Sequence, residues 1–95
     1  MPLFALFCAD KPDSLPLRMA TREAHLTYMA GFRDQLRLAG PMLDDKGDMA
    51  GSILFLEAEN LAAAQAFSAG DPYRQAGLFD HVHITAFKPT VGTLG

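Results

Sequence analysis

The chain has 95 residues, 49% of them hydrophobic and 20% charged, with a formal net charge of -3 and a pI near 5.4, which fits one globular domain over residues 1–95 and excludes a second. Eight basic residues are scattered among eleven acidic ones, so no basic stripe exists for nucleic acid or an anionic membrane, and small molecules or protein partners remain. The one cysteine, Cys8, excludes an internal disulfide, and there is neither a basic leader nor an apolar run of about 18 residues, so the cytoplasm is the expected location.

Leu3 to Ala9 is a continuous apolar run bounded by Pro2 and by Asp10-Lys11-Pro12-Asp13. It reads as a strand buried on both faces, with Phe4, Leu6 and Cys8 pointing one way and Leu3, Ala5, Phe7 and Ala9 the other. One layer of helices covers only one of these sides. Cys8, in mid-strand, reads as a small core residue and not as a nucleophile.

Ser14 and Thr21 are both expected N-caps, with Pro16 in the first turn, so Leu15 to Arg37 should hold a short helical turn running into a longer helix. Within it His25, Met29, Phe32 and Leu36 recur at spacings of four, three and four, and Leu26 widens the stripe. Extended backward by three and seven residues, the same face reaches Arg22 and Arg18. A buried stripe with a basic end is the pattern of a pocket mouth. A plainer reading makes His25 a core histidine with one satisfied hydrogen bond and leaves the arginines in solvent.

Leu36 to Leu43 follows as a second short strand bent at Gly40-Pro41, and Asp44 to Gly51 as a polar turn. Gly51 to Glu59 is a strand with Ile53, Phe55 and Glu57 on one face and Leu54, Leu56 and Ala58 on the other. Asn60 caps a second helix, Leu61 to Ala69, whose Leu61, Ala64 and Phe67 face the sheet. Gly70 is expected to end that helix in the left-handed conformation, and Asp71-Pro72 to open a new helical turn, which holds the Asp71 carboxylate between two helix ends. Its candidate partner is His25, although an aspartate before proline also serves simply as a cap. Val82, Ile84 and Ala86 alternate with His81, His83, Thr85 and Phe87 in a last strand that Pro89 ends, and the tail from Thr90 to Gly95 is expected to be loose or to wrap a partner.

Strand, helix, strand, strand, helix, strand is the order of a ferredoxin-like α+β domain (βαββαβ), a four-stranded antiparallel sheet with two main helices on one face. The bare face would carry Phe7 or Phe4 with Leu54 or Phe55, an apolar patch that a soluble monomer rarely exposes, so a second copy closing over it is expected. A core that buries roughly 60 to 65% of the unfolded surface gains from such cover.

The residues also resemble the YCII-related (YciI-like) family of the dimeric α+β barrel superfamily. The resemblance runs from Cys8-Ala9-Asp10-Lys11-Pro12 through Arg18, Arg22 and Ala24-His25-Leu26 to Leu38-Ala39-Gly40-Pro41 and Leu43-Asp44-Asp45, then to Gly51-Ser52, Asp71-Pro72-Tyr73 and Ala76-Gly77-Leu78-Phe79. It implies a dimeric α+β barrel, a homodimer joined through the open sheet face, with a pocket in each subunit and His25 and Asp71 as an acid/base pair. Members of the family include enzymes that remove a small leaving group from, or isomerise, cyclic dienol or quinol-like compounds.

A carboxylate beside an imidazole fixes its tautomer and orients it for proton transfer. Arg18 and Arg22 would hold a substrate carboxylate or enolate oxygen, Met29 and Phe32 would wall the pocket, and Tyr73 would line it or donate a phenol proton. His81 and His83 lack a third ligand, and Asp44, Asp45 and Asp48 with Gly47 lack the length and terminal glutamate of a calcium loop, so no metal is expected. Two functions follow. One is a small cofactor-free enzyme of lyase, isomerase or dehydrohalogenase type, acting on a small cyclic or unsaturated substrate through His25 and Asp71. The other is a non-catalytic dimeric module that binds a small molecule or assists another protein, its His-Asp contact being structural.

Overall fold

The computed structural model describes residues 1–94 and carries seven elements among them. These are β1 (Leu3–Asp10), α1 (Leu15–Ala30), β2 (Leu36–Leu43), β3 (Met49–Glu57), α2 (Leu61–Gly70), α3 (Pro72–Gln75) and β4 (Phe79–Phe87). The strands form one antiparallel sheet in the order β2-β3-β1-β4. This is the ferredoxin-like α+β arrangement that the element order predicts, of the kind used in dimeric α+β barrels.

β1 is central, pairing Phe4 with Leu56 and Leu6 with Leu54 on one side, and Phe4 with Ala86 and Leu6 with Ile84 on the other. Strand alternation then sorts the two faces. Phe4, Leu6 and Cys8 join Ser52, Leu54 and Leu56 under the helices, where Met29, Ala64, Phe67, Tyr73, Leu78 and Phe79 complete the core. Leu6 and Leu54 are fully buried, each contributing about 2 kcal/mol of hydrophobic stabilisation. On the opposite face Phe7 pairs with Ile53 and Ala5 with Phe55, while Phe7, Leu38 and Phe87 stay exposed. Of the expected residues, Phe7 and Phe55 belong to the open face, and Phe4 and Leu54 lie under the helices.

Several local expectations are corrected. α1 is one continuous helix from Leu15, and Thr21 lies inside it, its hydroxyl donating to the Leu17 carbonyl (2.9 Å) and capping nothing; the helix ends at Ala30, well before Arg37. Ser14 occupies the N-cap position, but its hydroxyl donates to the Pro12 carbonyl at 3.3 Å. β3 begins at Met49, the turn before it being held by Asp44 Oδ1, which accepts from the amides of Lys46 and Asp48 at 2.9 and 3.0 Å. In α2 Leu61 is exposed while Ala64 and Phe67 are buried.

Gly70 is helical, with no left-handed φ. What demands glycine there is contact: a Cβ would sit 2.5 Å from the Tyr28 Oη. Beyond β4, residues 90–94 form no helix or strand, and the remainder of the expected tail, Gly95, lies outside the described residues. No helix among the described residues is long and apolar enough to cross a membrane.

Candidate active site

The site is built where α1, α3 and the helix-facing side of β1 and β3 meet. α3 begins at Asp71, whose extended backbone (φ -63°, ψ 123°) and following Pro72 are suited to an N-cap. Asp71 Oδ1 accepts from the Tyr73 amide at 3.0 Å, and the same oxygen lies 2.9 Å from His25 Nδ1, which reaches it from α1 across 46 positions of sequence. Cap and dyad partner, treated as alternatives in the sequence, are thus one and the same carboxylate. Both groups are mostly enclosed, with side-chain exposures of 11% for His25 and 4% for Asp71.

A carboxylate only accepts, so Nδ1 carries the hydrogen of this bond and Nε2 is left for the cavity. Nε2 makes no hydrogen bond among the described residues. The imidazole is also fixed in plane: it stacks on the Tyr73 ring, centroids 4.0 Å apart and planes 15° from parallel. The Arg18 guanidinium carbon stands 4.5 Å from the centroid of that tyrosine ring. Burial raises the Tyr73 phenol above its ordinary range, the nearby Arg18 and Arg22 guanidiniums opposing this, so near neutral pH the phenol keeps its proton.

The two arginines have different surroundings. Arg18 is buried, its Nε and Nη2 donating to the two oxygens of Asp10 at 2.7 and 3.1 Å, and Nη2 also donating to Ser52 Oγ at 2.8 Å. Its charge is therefore met inside the protein. Arg22 is exposed at the cavity rim and forms no ion pair among the described residues. Both line the cavity, and Arg22 is the one of the two without a carboxylate partner among the described residues.

The cavity has a volume of about 270 Å³ and is lined by Arg18, Arg22, His25, Met29, Ser52, Leu54 and Tyr73, with Ala39, Gly40 and Pro41 of β2 across the opening. A void of about 150 Å³ accommodates benzene, so the space fits a single substituted ring. Phe32 does not join it. That ring packs on Tyr28 and Phe67, with centroids 5.0 and 4.8 Å away, and borders a different depression. Sequence reasoning gave no role to Asp10 and Ser52. The available signal was a serine in a row that otherwise reads Leu54, Leu56, and an acid closing an apolar strand. Cys8 lies beneath the site with its thiol pushed up to about 12, chiefly by burial and then by the Asp71 charge, which removes it as a nucleophile. His81 is exposed, 3.4 Å from Asp80 on β4, and is not among the residues lining the cavity.

Residues 2–88 match the YCII-related domain. The chain is 40% identical over 94 residues to the protein YciI of Escherichia coli O6:H1, covering 90% of this chain and 96% of that one, and 36% identical over 93 residues to an uncharacterized protein of Haemophilus influenzae. Among solved structures it is similar to TftG, the 5-chloro-2-hydroxyhydroquinone dehydrochlorinase of Burkholderia phenoliruptrix AC1100, seen in complex with 2,5-dihydroxybenzoquinone. The TM-score is 0.84 at 34% identity, over 90% of this chain and 93% of that one. An antibiotic biosynthesis monooxygenase, at 10% identity and a TM-score of 0.56, shares the fold alone.

Proposed function

We propose that this chain, which belongs to the YCII-related domain family, is a small acid/base enzyme that moves protons on a hydroxylated, unsaturated six-membered ring and expels a small leaving group such as halide. The observation that carries the reading is the 2.9 Å contact between His25 Nδ1 and Asp71 Oδ1 at the wall of a ring-sized cavity. The similarity to a dehydrochlorinase of chlorinated hydroxyhydroquinone supports the substrate class.

The chemistry is redox-neutral and lies within the reach of one imidazole. His25 Nε2 accepts a proton from a ring hydroxyl, and Asp71 stabilises the resulting imidazolium. The imidazolium returns the proton to the halogen-bearing carbon, giving the keto tautomer. Loss of a second hydroxyl proton then drives out chloride with the C–Cl electron pair, so that a trihydroxychlorobenzene becomes a hydroxyquinone plus HCl. Arg22 at the rim meets the oxygen on which negative charge develops.

The test is turnover of chlorinated hydroxyhydroquinones, followed by chloride release and quinone absorbance. His25→Gln should abolish it, and Asp71→Asn, which keeps a capping oxygen but loses the charge, should lower kcat by about 10²-fold or more, the usual weight of a positioned acid/base group. Both variants should remain folded. If wild type binds the ring without turning it over, the domain is a binding module and not an enzyme, and turnover that neither substitution lowers would remove His25 and Asp71 from the chemistry.

A dimer joined across the open sheet face belongs to the same proposal. Phe7, Phe55 and Phe87 with Leu38 make an apolar surface of the kind that demands cover.

A further inference from the structure

We infer that Ser52 is a substrate-contacting donor, holding a ring oxygen of the substrate while His25 Nε2 works on another; the inference rests on the acid/base reading of the same cavity. Ser52 is out of place by pattern. It lies on β3 in the helix-facing row that continues with Leu54 and Leu56, two residues that are almost completely buried, and it is itself 4% exposed. A hydroxyl in such a row is costly unless it is used.

Its hydrogen bonding shows which half of the group is committed. Arg18 Nη2 lies 2.8 Å from Ser52 Oγ, and a guanidinium has donors only, so the serine oxygen is the acceptor. Asp10 takes the Nε and Nη2 hydrogens of the same guanidinium at 2.7 and 3.1 Å and fixes its orientation. The serine's own hydrogen meets no protein acceptor among the described residues. Ser52 nonetheless lines the cavity together with His25, Tyr73 and Arg22. Accepting from a cation strengthens a hydroxyl as a donor, and chained hydrogen bonds polarise one another in this sense. The chain Asp10, Arg18, Ser52 therefore presents one pre-oriented O–H to the cavity. It also assigns Arg18 to positioning, with Arg22 left to contact substrate.

The experiment uses the intact protein with 2,5-dihydroxybenzoquinone as the binding probe and a chlorinated hydroxyhydroquinone as the turnover substrate. Ser52→Ala should lower kcat/KM by about 10²-fold, the loss typical of one oxyanion donor, and weaken quinone binding by about 10-fold, as expected for one lost hydrogen bond. Ser52→Cys, close in shape but a weak donor, should show the same losses if the alanine variant folds poorly. A merely structural serine would lower Tm and leave kcat/KM and quinone affinity unchanged in whichever variant folds, which overturns the inference. Quinone binding that depends on Ser52 in a wild-type protein with no turnover would sustain the donor role while removing the enzymatic reading. Absence of both binding and turnover in wild type removes both.

Discussion

Gly70→Ala isolates the reason for a glycine at the end of α2. Were Gly70 in the left-handed conformation, its replacement would cost through backbone strain and nothing nearby would matter. Instead the added Cβ would lie 2.5 Å from Tyr28 Oη, 3.1 Å from Cζ and 3.3 Å from Cε1. The tyrosine cannot swing aside freely, because its hydroxyl donates to the Phe67 carbonyl at 2.9 Å and its ring packs on Phe32 and Phe67. Overpacking of this kind costs about 1–3 kcal/mol and loss of the hydrogen bond about 1, against a gain of about 1 from helix propensity. A net loss of about 1–3 kcal/mol should lower Tm by roughly 4–8 °C for each kcal/mol in a domain of this size. Thermal unfolding of Gly70→Ala, Tyr28→Phe and the double variant gives a cycle in which removing the hydroxyl should recover much of the loss, a coupling of about 1 kcal/mol or more. Strictly additive effects, or an alanine variant as stable as wild type, would refute the contact argument.

Asp10→Ala should destabilise by about 3 kcal/mol or more in urea titrations, because it leaves the Arg18 charge buried without its carboxylate; both side chains are no more than 5% exposed. Arg22→Ala should leave the urea midpoint nearly unchanged and raise KM for a hydroxylated ring, in contrast to Arg18→Ala, which should fail in the stability assay first. The Cys8 thiol, raised to about 12, should stay unreactive toward a thiol reagent from pH 7 to 9.5 in the folded protein and become reactive on unfolding. A rate that climbs with pH across that window in native conditions would contradict it. Phe55→Lys should halve the sedimenting mass if two sheets pack face to face.

Most of the fold was legible because β1 and β3 read as short, nearly continuous apolar runs set off by proline, aspartate or asparagine. What alternation does not carry is which side the helices cover: Phe4 and Phe7 are indistinguishable as residues, and the choice is made only when Leu54 and Leu56 join Phe4 in one row. Thr21 misled because a threonine hydroxyl serves a cap and a back-bond to the preceding turn equally well. His25 and Asp71 were legible as a pair because a helix stripe and a capped turn each aimed one group inward. The internal partners of Arg18 were not legible, since Asp10 and Ser52 lie 8 and 34 positions away and no local pattern links them to it. Phe32 continues the His25 stripe, yet α1 has ended before it, and the turn that follows carries the ring to Tyr28 and Phe67.

The alternation that defines β1 and β3 also separates chemistry from association. Cys8 and its cross-strand partner Ser52 lie on the helix side, directly under the cavity, while Phe7 and its partner Ile53, one position away on each strand, lie on the bare side. The sheet is one backbone thick, so a partner seated on Phe7 and Phe55 does not touch His25, Ser52 or Arg22. Substitutions on the two faces should therefore sort cleanly. Phe55→Lys should change sedimenting mass and, where the monomer stays folded, leave quinone affinity in place, whereas Ser52→Ala should change affinity and rate with no change in mass. If the monomeric variant is fully folded by circular dichroism yet has lost quinone binding, the cavity depends on the second copy, and the separation of the two faces fails.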